Sequence, residues 1–177
     1  MENHSNRITP LAMSYGLYMG LALILNTVIF YVSGDLFSPG SGYLTYAIII
    51  AGTMMAMKAY REEHVEAGVS YGQALGLGTL QALYASLVYA FFNYVLFQLF
   101  DKSLTDKFLV VLEEQYLKSG VSENQIDALM PMYKKLMSPL FYSLAQIFSV
   151  TFTGFLFSLV IAIFYKKNAA NPFHEVE

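Results

Sequence analysis

Two groupings of side chains have types and spacing suited to chemistry. The first is acidic: Glu62, Glu63 and Glu66 surround His64. A carboxylate and imidazole set can hold a metal ion or exchange protons as acid and base. The stretch is short and charged, with Arg61 before it and Gly68 after it, and it reads as a solvated loop face. The second grouping is uncharged: Asn26, Thr53, Gln81, Ser86, Asn93, Gln98, Gln146, Thr151 and Thr153 punctuate otherwise apolar runs. Such residues either line a polar track or bond helix to helix at ~0.6–2 kcal/mol each. Interhelical bonding is the expectation. Gly76-Leu77-Gly78 lacks the third glycine and the strand-turn-helix setting of a dinucleotide loop. Hydroxyls occur without a partnered base. There is no Cys, and the three His, at 4, 64 and 174, lie far apart. The expectation is no catalytic residue, no metal and no cofactor, hence not an enzyme.

The elements that carry these residues follow from where charge is missing. Of 177 residues 56% are hydrophobic and 13% charged, about half the charge of a soluble domain. Net charge is −3, with no basic run. A nucleic-acid partner needs a concentrated positive footprint and is excluded. Leu11–Val32, Tyr71–Phe100 and Pro139–Tyr165 contain no charge, and Tyr43–Ala59 contains only Lys58. A bilayer core about 30 Å thick takes ~20 apolar helical residues. Four spans are therefore expected, at 11–32, 43–60, 71–100 and 139–166, in one all-α membrane domain covering residues 1–177. The first span leaves through Tyr31-Val32-Ser33-Gly34-Asp35, which carries no small-x-small cleavage pattern, so it reads as a retained span rather than a signal peptide. At ~1.5 Å per residue the third exceeds the core by roughly 15 Å, so it must tilt or project.

Lys and Arg in short loops orient the spans. Arg7, Lys58, Arg61, Lys166 and Lys167 fall on one side by alternation, whereas 33–42 has no base. Both termini and the 60–70 loop are expected in the cytoplasm, with a multi-pass location in a bacterial inner membrane. The 101–138 stretch carries five bases but also six acids, which dilutes its own charge bias; it is expected outside and reads as an amphipathic helical hairpin, 103–137. Ser70-x-x-Gln73, Ser103-x-x-Asp106 and Ser122-x-x-Gln125 are capping-box patterns. Gly120 in Ser119-Gly120-Val121 marks a helix stop, and Ser138-Pro139 opens the fourth span. Pro131 is expected to interrupt and kink the second hairpin helix. That helix places Ile126, Leu129, Met130, Tyr133, Leu136 and Met137 on one face. The face is expected to pack over the outer ends of spans three and four, tethered by Phe100 and Ser138-Pro139. The alternative is that it receives a partner or a lipid.

Small residues recur at four-residue spacing, which lets membrane helices approach closely. The candidates for helix packing are Gly16, Gly20, Gly52, Gly72, Gly76, Gly154 and Ser158. They serve either the bundle itself or contact with a second copy or another membrane protein. The constant partner is the lipid bilayer. No ionisable residue falls at mid-depth, which argues against a proton-coupled transporter or an ion channel.

Several strings, in order and spacing, resemble a bacterial membrane family catalogued as domain of unknown function 4199. They are Ser14-Tyr15-Gly16-Leu17, Lys58-Ala59-Tyr60-Arg61-Glu62-Glu63, Val69-Ser70-Tyr71-Gly72-Gln73-Ala74-Leu75, Val121-Ser122-Glu123-Asn124-Gln125-Ile126 and Lys135-Leu136-Met137-Ser138-Pro139. The resemblance covers about residues 8–167 and implies four membrane helices; it supplies no activity or site. The expectation is a non-catalytic structural, assembly or accessory protein. The alternative is binding or transport of a lipid or small apolar molecule within the bundle.

Overall fold

A computed structural model describes residues 8–63 and 68–166. His4, Arg7, His64, Glu66, Lys167 and His174 lie outside the described residues, so the expected acidic and imidazole grouping is described only at Glu62 and Glu63, both exposed.

The described chain is all-helical: α1 (Ile8–Val32), α2 (Pro39–Glu63), α3 (Tyr71–Val95), α4 (Leu104–Lys118), α5 (Glu123–Leu136) and α6 (Pro139–Tyr165). A π-helical turn, Leu96–Phe100, continues α3. Four of these elements are long and apolar enough to cross a membrane: Ile8–Val32, Pro39–Glu63, Tyr71–Phe100 and Pro139–Tyr165. The second is longer at both ends than the uncharged run, because Pro39 pre-sets the first helical turn and the chain stays helical past Lys58 and Arg61 to Glu63.

Helix ends follow local chemistry. Ser70 and Gln73 close a reciprocal capping box on α3 (3.2 and 2.8 Å). After α4, Gly120 takes φ +80°. Its N–H reaches Leu117 O at 3.0 Å, and the Val121 N–H reaches Tyr116 O at 3.1 Å. This is a Schellman stop. Gly34 (φ +81°) ends α1 in the same way, with bonds to Tyr31 O and, from Asp35, to Phe30 O. Two expectations are corrected. Ser103 does not cap α4 with its side chain; its hydroxyl turns back to Asp101. Pro131 does not interrupt α5, which runs through it. Pro131 and Asp127, whose carbonyl its missing N–H leaves without an intrahelical donor, both lie on the exposed side of α5.

The four long helices form a ring in the order α1, α3, α6, α2, with α3 packed against each of the others. The burial pattern is the reverse of a soluble bundle. Asn26, Thr27, Thr53, Gln81, Ser86, Asn93, Ser143 and Ser158 are buried, whereas Leu17, Leu21, Leu25, Phe148, Phe152 and Leu156 are exposed. Helices surrounded by hydrocarbon sort this way, since lipid accepts Leu and Phe but offers no hydrogen bond.

Close approach is concentrated on α3. A methyl group at Gly16 would lie 2.8 Å from Gln81 O, and one at Gly20 would lie 3.1 Å from Ala85 O. Gly154 presses on Ala82, and Gly78 on Ser158. A methyl group at Gly52 would lie 2.8 Å from Met19 Sδ. The expected approach at Gly72 and Gly76 is not found within the chain: neither has a neighbour within 4 Å. The packed glycine of α3 is Gly78, two residues on and about 200° round the helix from Gly76.

Candidate functional site

The functional features gather at the end of the bundle where α1 stops and α2 and α6 begin. Leu104, at the start of α4, is 2% exposed. It inserts among Leu96, Phe97, Tyr31, Leu36, Phe37 and Tyr142. The π-helical turn makes this possible by burying both Leu96 and Phe97 on one side. Phe97 stacks on Tyr142 at 4.7 Å between ring centroids, and Phe37 meets Phe108 edge-on at 5.3 Å. The hairpin is thus docked over the bundle end, though not by the expected tether. Phe100 is 79% exposed, because the wider turn rotates it outward, and Phe97 takes its place. The hairpin also leans on the 34–38 loop, a contact that spacing within α4 and α5 does not reveal.

Asp101 ties three elements together. It accepts from the Ser103 N–H at 3.0 Å and from the Ser103 hydroxyl, from Lys107 Nζ at 2.9 Å, and from the Tyr31 hydroxyl at 3.3 Å. The Ser103 hydroxyl first, and then Lys107, hold its carboxyl at about 2. The signal in the sequence was Asp-x-Ser, an Asx-turn pattern.

The face of α5 is divided between neighbours. Ile126 and Met137 are buried, Leu129, Met130 and Tyr133 are half-buried, and Leu136 is exposed. Thr105 donates to Met137 O at 3.1 Å. The Tyr116 and Tyr133 hydroxyls share a 2.6 Å hydrogen bond, which pushes the Tyr116 phenol up.

Two openings flank the docked hairpin. The larger, about 760 Å³, lies between the 34–39 loop and α4. Leu36, Phe37, Leu104, Val110 and Val111 give it an apolar floor, and Asp35, Lys107, Glu114 and Lys118 stand at its edge. The smaller, about 260 Å³, runs between α2 and α6; Ser41, Thr45, Gln146, Ser149 and Thr153 line it together with Ile49, Tyr89, Phe108, Tyr142 and Val150. The openings share Leu36, Phe37 and Ser38.

The polar residues of the spans divide into two sets. Asn26 Nδ2 donates to Thr45 Oγ1 (3.1 Å) and Ser41 O (3.3 Å), Thr27 bonds Tyr89 (2.9 Å), and Ser86 bonds Thr151 (3.1 Å). These are the expected links between helices. Asn93 bonds back to Tyr89 O within its own helix. Asn26 Oδ1, Thr53 Oγ1, Gln81 Oε1 and Ser158 Oγ are buried with no hydrogen-bond partner among the described residues. Gln81 Nε2 has only Met19 Sδ, at 3.7 Å. Among the described residues no three His, Asp or Glu stand together as a metal-holding group.

Fold and burial together define an all-α bundle of four membrane-type helices carrying a docked helical hairpin. The chain belongs to the family described as a protein of unknown function, DUF4199, whose profile matches residues 14–167. No curated protein and no solved structure matches it.

Proposed function

We propose that this is a four-span integral membrane protein that works by binding and assembly rather than by catalysis. Both termini and the 60–70 loop lie on the cytoplasmic side, and the hairpin lies on the opposite face. The observation that carries this reading is the inverted burial, with amides and hydroxyls inside and Leu and Phe outside. A soluble bundle would leave that apolar surface in water, well beyond the few hundred Å² that monomers expose. Lys58, Arg61 and Lys166 stand at the end assigned to the cytoplasm, the short 33–42 loop at the other end carries no base, and the five Lys of the 101–138 stretch are accompanied by six acidic residues. The seams at Gly16, Gly20 and Gly154 serve the chain's own packing, which leaves the outer faces of α1 and α6 for lipid or a second membrane protein. Alkaline carbonate extraction of membranes tests the integral assignment: the protein stays in the pellet, and release into the supernatant refutes it. A mass measurement in mild detergent then separates a monomer from an assembly.

A second reading is favoured by one observation. The 760 Å³ opening under the hairpin has an apolar floor and a balanced charged edge, a combination suited to a lipid or small apolar molecule at the membrane surface. Native mass spectrometry from lipid nanodiscs tests it. Retained lipid lost on Val110→Asp supports it, and lipid retained equally by both proteins argues against it.

A further inference from the structure

We propose that the α2–α6 crevice is the outer half of a path for a small uncharged solute bearing several hydroxyl or amide groups, closed midway by Ile49, Ala82 and Gly154. Gln146, Ser149 and Thr153 recur on α6 at spacings of three and four, which places them on one face. Ser41 and Thr45 on α2 face them across about 260 Å³. Both walls run eleven residues from the hairpin end, Ser38 to Ile49 and Tyr142 to Thr153. At ~1.5 Å per residue the crevice reaches roughly 16 Å inward, about half of a bilayer core.

The polar lining does not stop there. One turn further in lie Thr53 on α2 and Ser158 on α6, and Gln81 on α3 adjoins Ala82 at the constriction itself. Each is fully buried, and each keeps an oxygen without a partner among the described residues. They lie on neighbouring turns of adjoining helices: Gly52, next to Thr53, would place a methyl 3.3 Å from Gln81 Nε2, and Gly78, one turn from Gln81, presses on Ser158. An unpaired buried polar group is costly, and more so without water nearby. Three along the inner α2, α3 and α6 turns mark places where hydrogen bonds are made to something other than this chain. Between crevice and inner set stands a constriction, where Gly154 meets Ala82 and lies against Ile49.

The chemistry of the solute follows from what the walls lack. No charged residue lines the crevice, so nothing offsets the dehydration of an ion. An apolar molecule would leave the hydroxyls and amides unpaired. The opening far exceeds the ~30 Å³ share of one water. A polyol or an amide of a few heavy atoms satisfies each condition. The inference rests on the membrane-spanning reading and goes beyond it.

The test is stopped-flow light scattering of phosphatidylcholine vesicles holding the full chain, with inward gradients of glycerol or urea. Flotation is run first: a chain that does not float with the vesicles fails the spanning reading itself. With floated protein, glycerol or urea should equilibrate several-fold faster than in empty vesicles. Ile49→Ala should raise the rate further, and Thr153→Leu, which fills the crevice, should return it to the empty-vesicle value. Gln81→Leu should abolish the flux while raising thermal stability in detergent, since it removes an unpaired group; a purely structural Gln81 would give lower stability instead. Wild type and Ile49→Ala both matching empty vesicles, or a gain for water alone, would overturn the proposal.

Discussion

The two flanks of α6 solve the same packing problem in opposite ways. Against α3, Gly154 and Ser158 bring backbones together so closely that Gly154 touches Ala82 and Gly78 touches Ser158. Against α2, at the hairpin end, the helices stand apart around a crevice of about 260 Å³ lined by hydroxyls and an amide among aromatic and aliphatic side chains. One helix thus carries a dry seam on one side and a wettable one on the other. In lipid no hydrophobic force draws helices together, so contact area and hydrogen bonds decide which surfaces close. The α3 side closed because small residues meet on both helices. On the α2 side, Tyr46 meets Phe157 edge to face, at 6.3 Å between ring centroids, and the gap above that contact stays open. The difference separates residues that hold the bundle from residues free to do something else.

The largest expected effect breaks the dry side. Gly16→Leu drives a side chain into the α3 backbone, where Gln81 O and Ala85 N cannot yield. We expect a loss of about 3 kcal/mol, read as a fall in melting temperature in detergent. Leu104→Ala tests the docked hairpin, removing a side chain that is 2% exposed. The loss should be about 3 kcal/mol of docking, read as faster hydrogen exchange across 104–137 with exchange in α3 unchanged.

Protonation tests the same docking more gently. The Asp101 carboxyl, held at about 2, titrates near 3.9 when freed. A depressed folded-state value means its contribution is present above pH ~4 and is lost as pH falls through about 2. Hairpin exchange should therefore accelerate over that window in wild type, and Asp101→Asn should flatten the acid limb. The smallest effect is at Gly76→Leu. With nothing within 4 Å of a new Cβ, stability should change by no more than ~0.5 kcal/mol. A loss like that of Gly16→Leu would show that Gly76 packs against a second copy of the chain.

Much of this architecture was legible in the sequence, and the boundary of legibility is physical. Charge gaps placed the four spans, because one charge in hydrocarbon is expensive whatever its neighbours are. Ser70, Gln73 and Gly120 placed helix ends, because caps and positive φ are local. Which glycine packs was not legible. Gly72, Gly76 and Gly78 all sit early in α3, and only the rotation of that helix against α6 selects Gly78. The swap of Phe97 for Phe100 depends on one π-helical turn with no local signal. The crevice arises from α2 and α6, which are separated by 75 residues of chain, from Glu63 to Pro139. The polar residues that line it, or lie beyond it, were visible, but whether each would find a partner was not.

The central claim is that the bundle spans a membrane with its hairpin opposite the 60–70 loop. The native chain has no Cys, so single-cysteine variants report one position each. A membrane-impermeant maleimide applied to intact cells should label Ser119→Cys, in the hairpin turn, and leave Ser70→Cys unlabelled until the membrane is broken. Label at Ser70→Cys with none at Ser119→Cys would invert the topology, and equal label at both in intact cells would contradict the spanning bundle altogether.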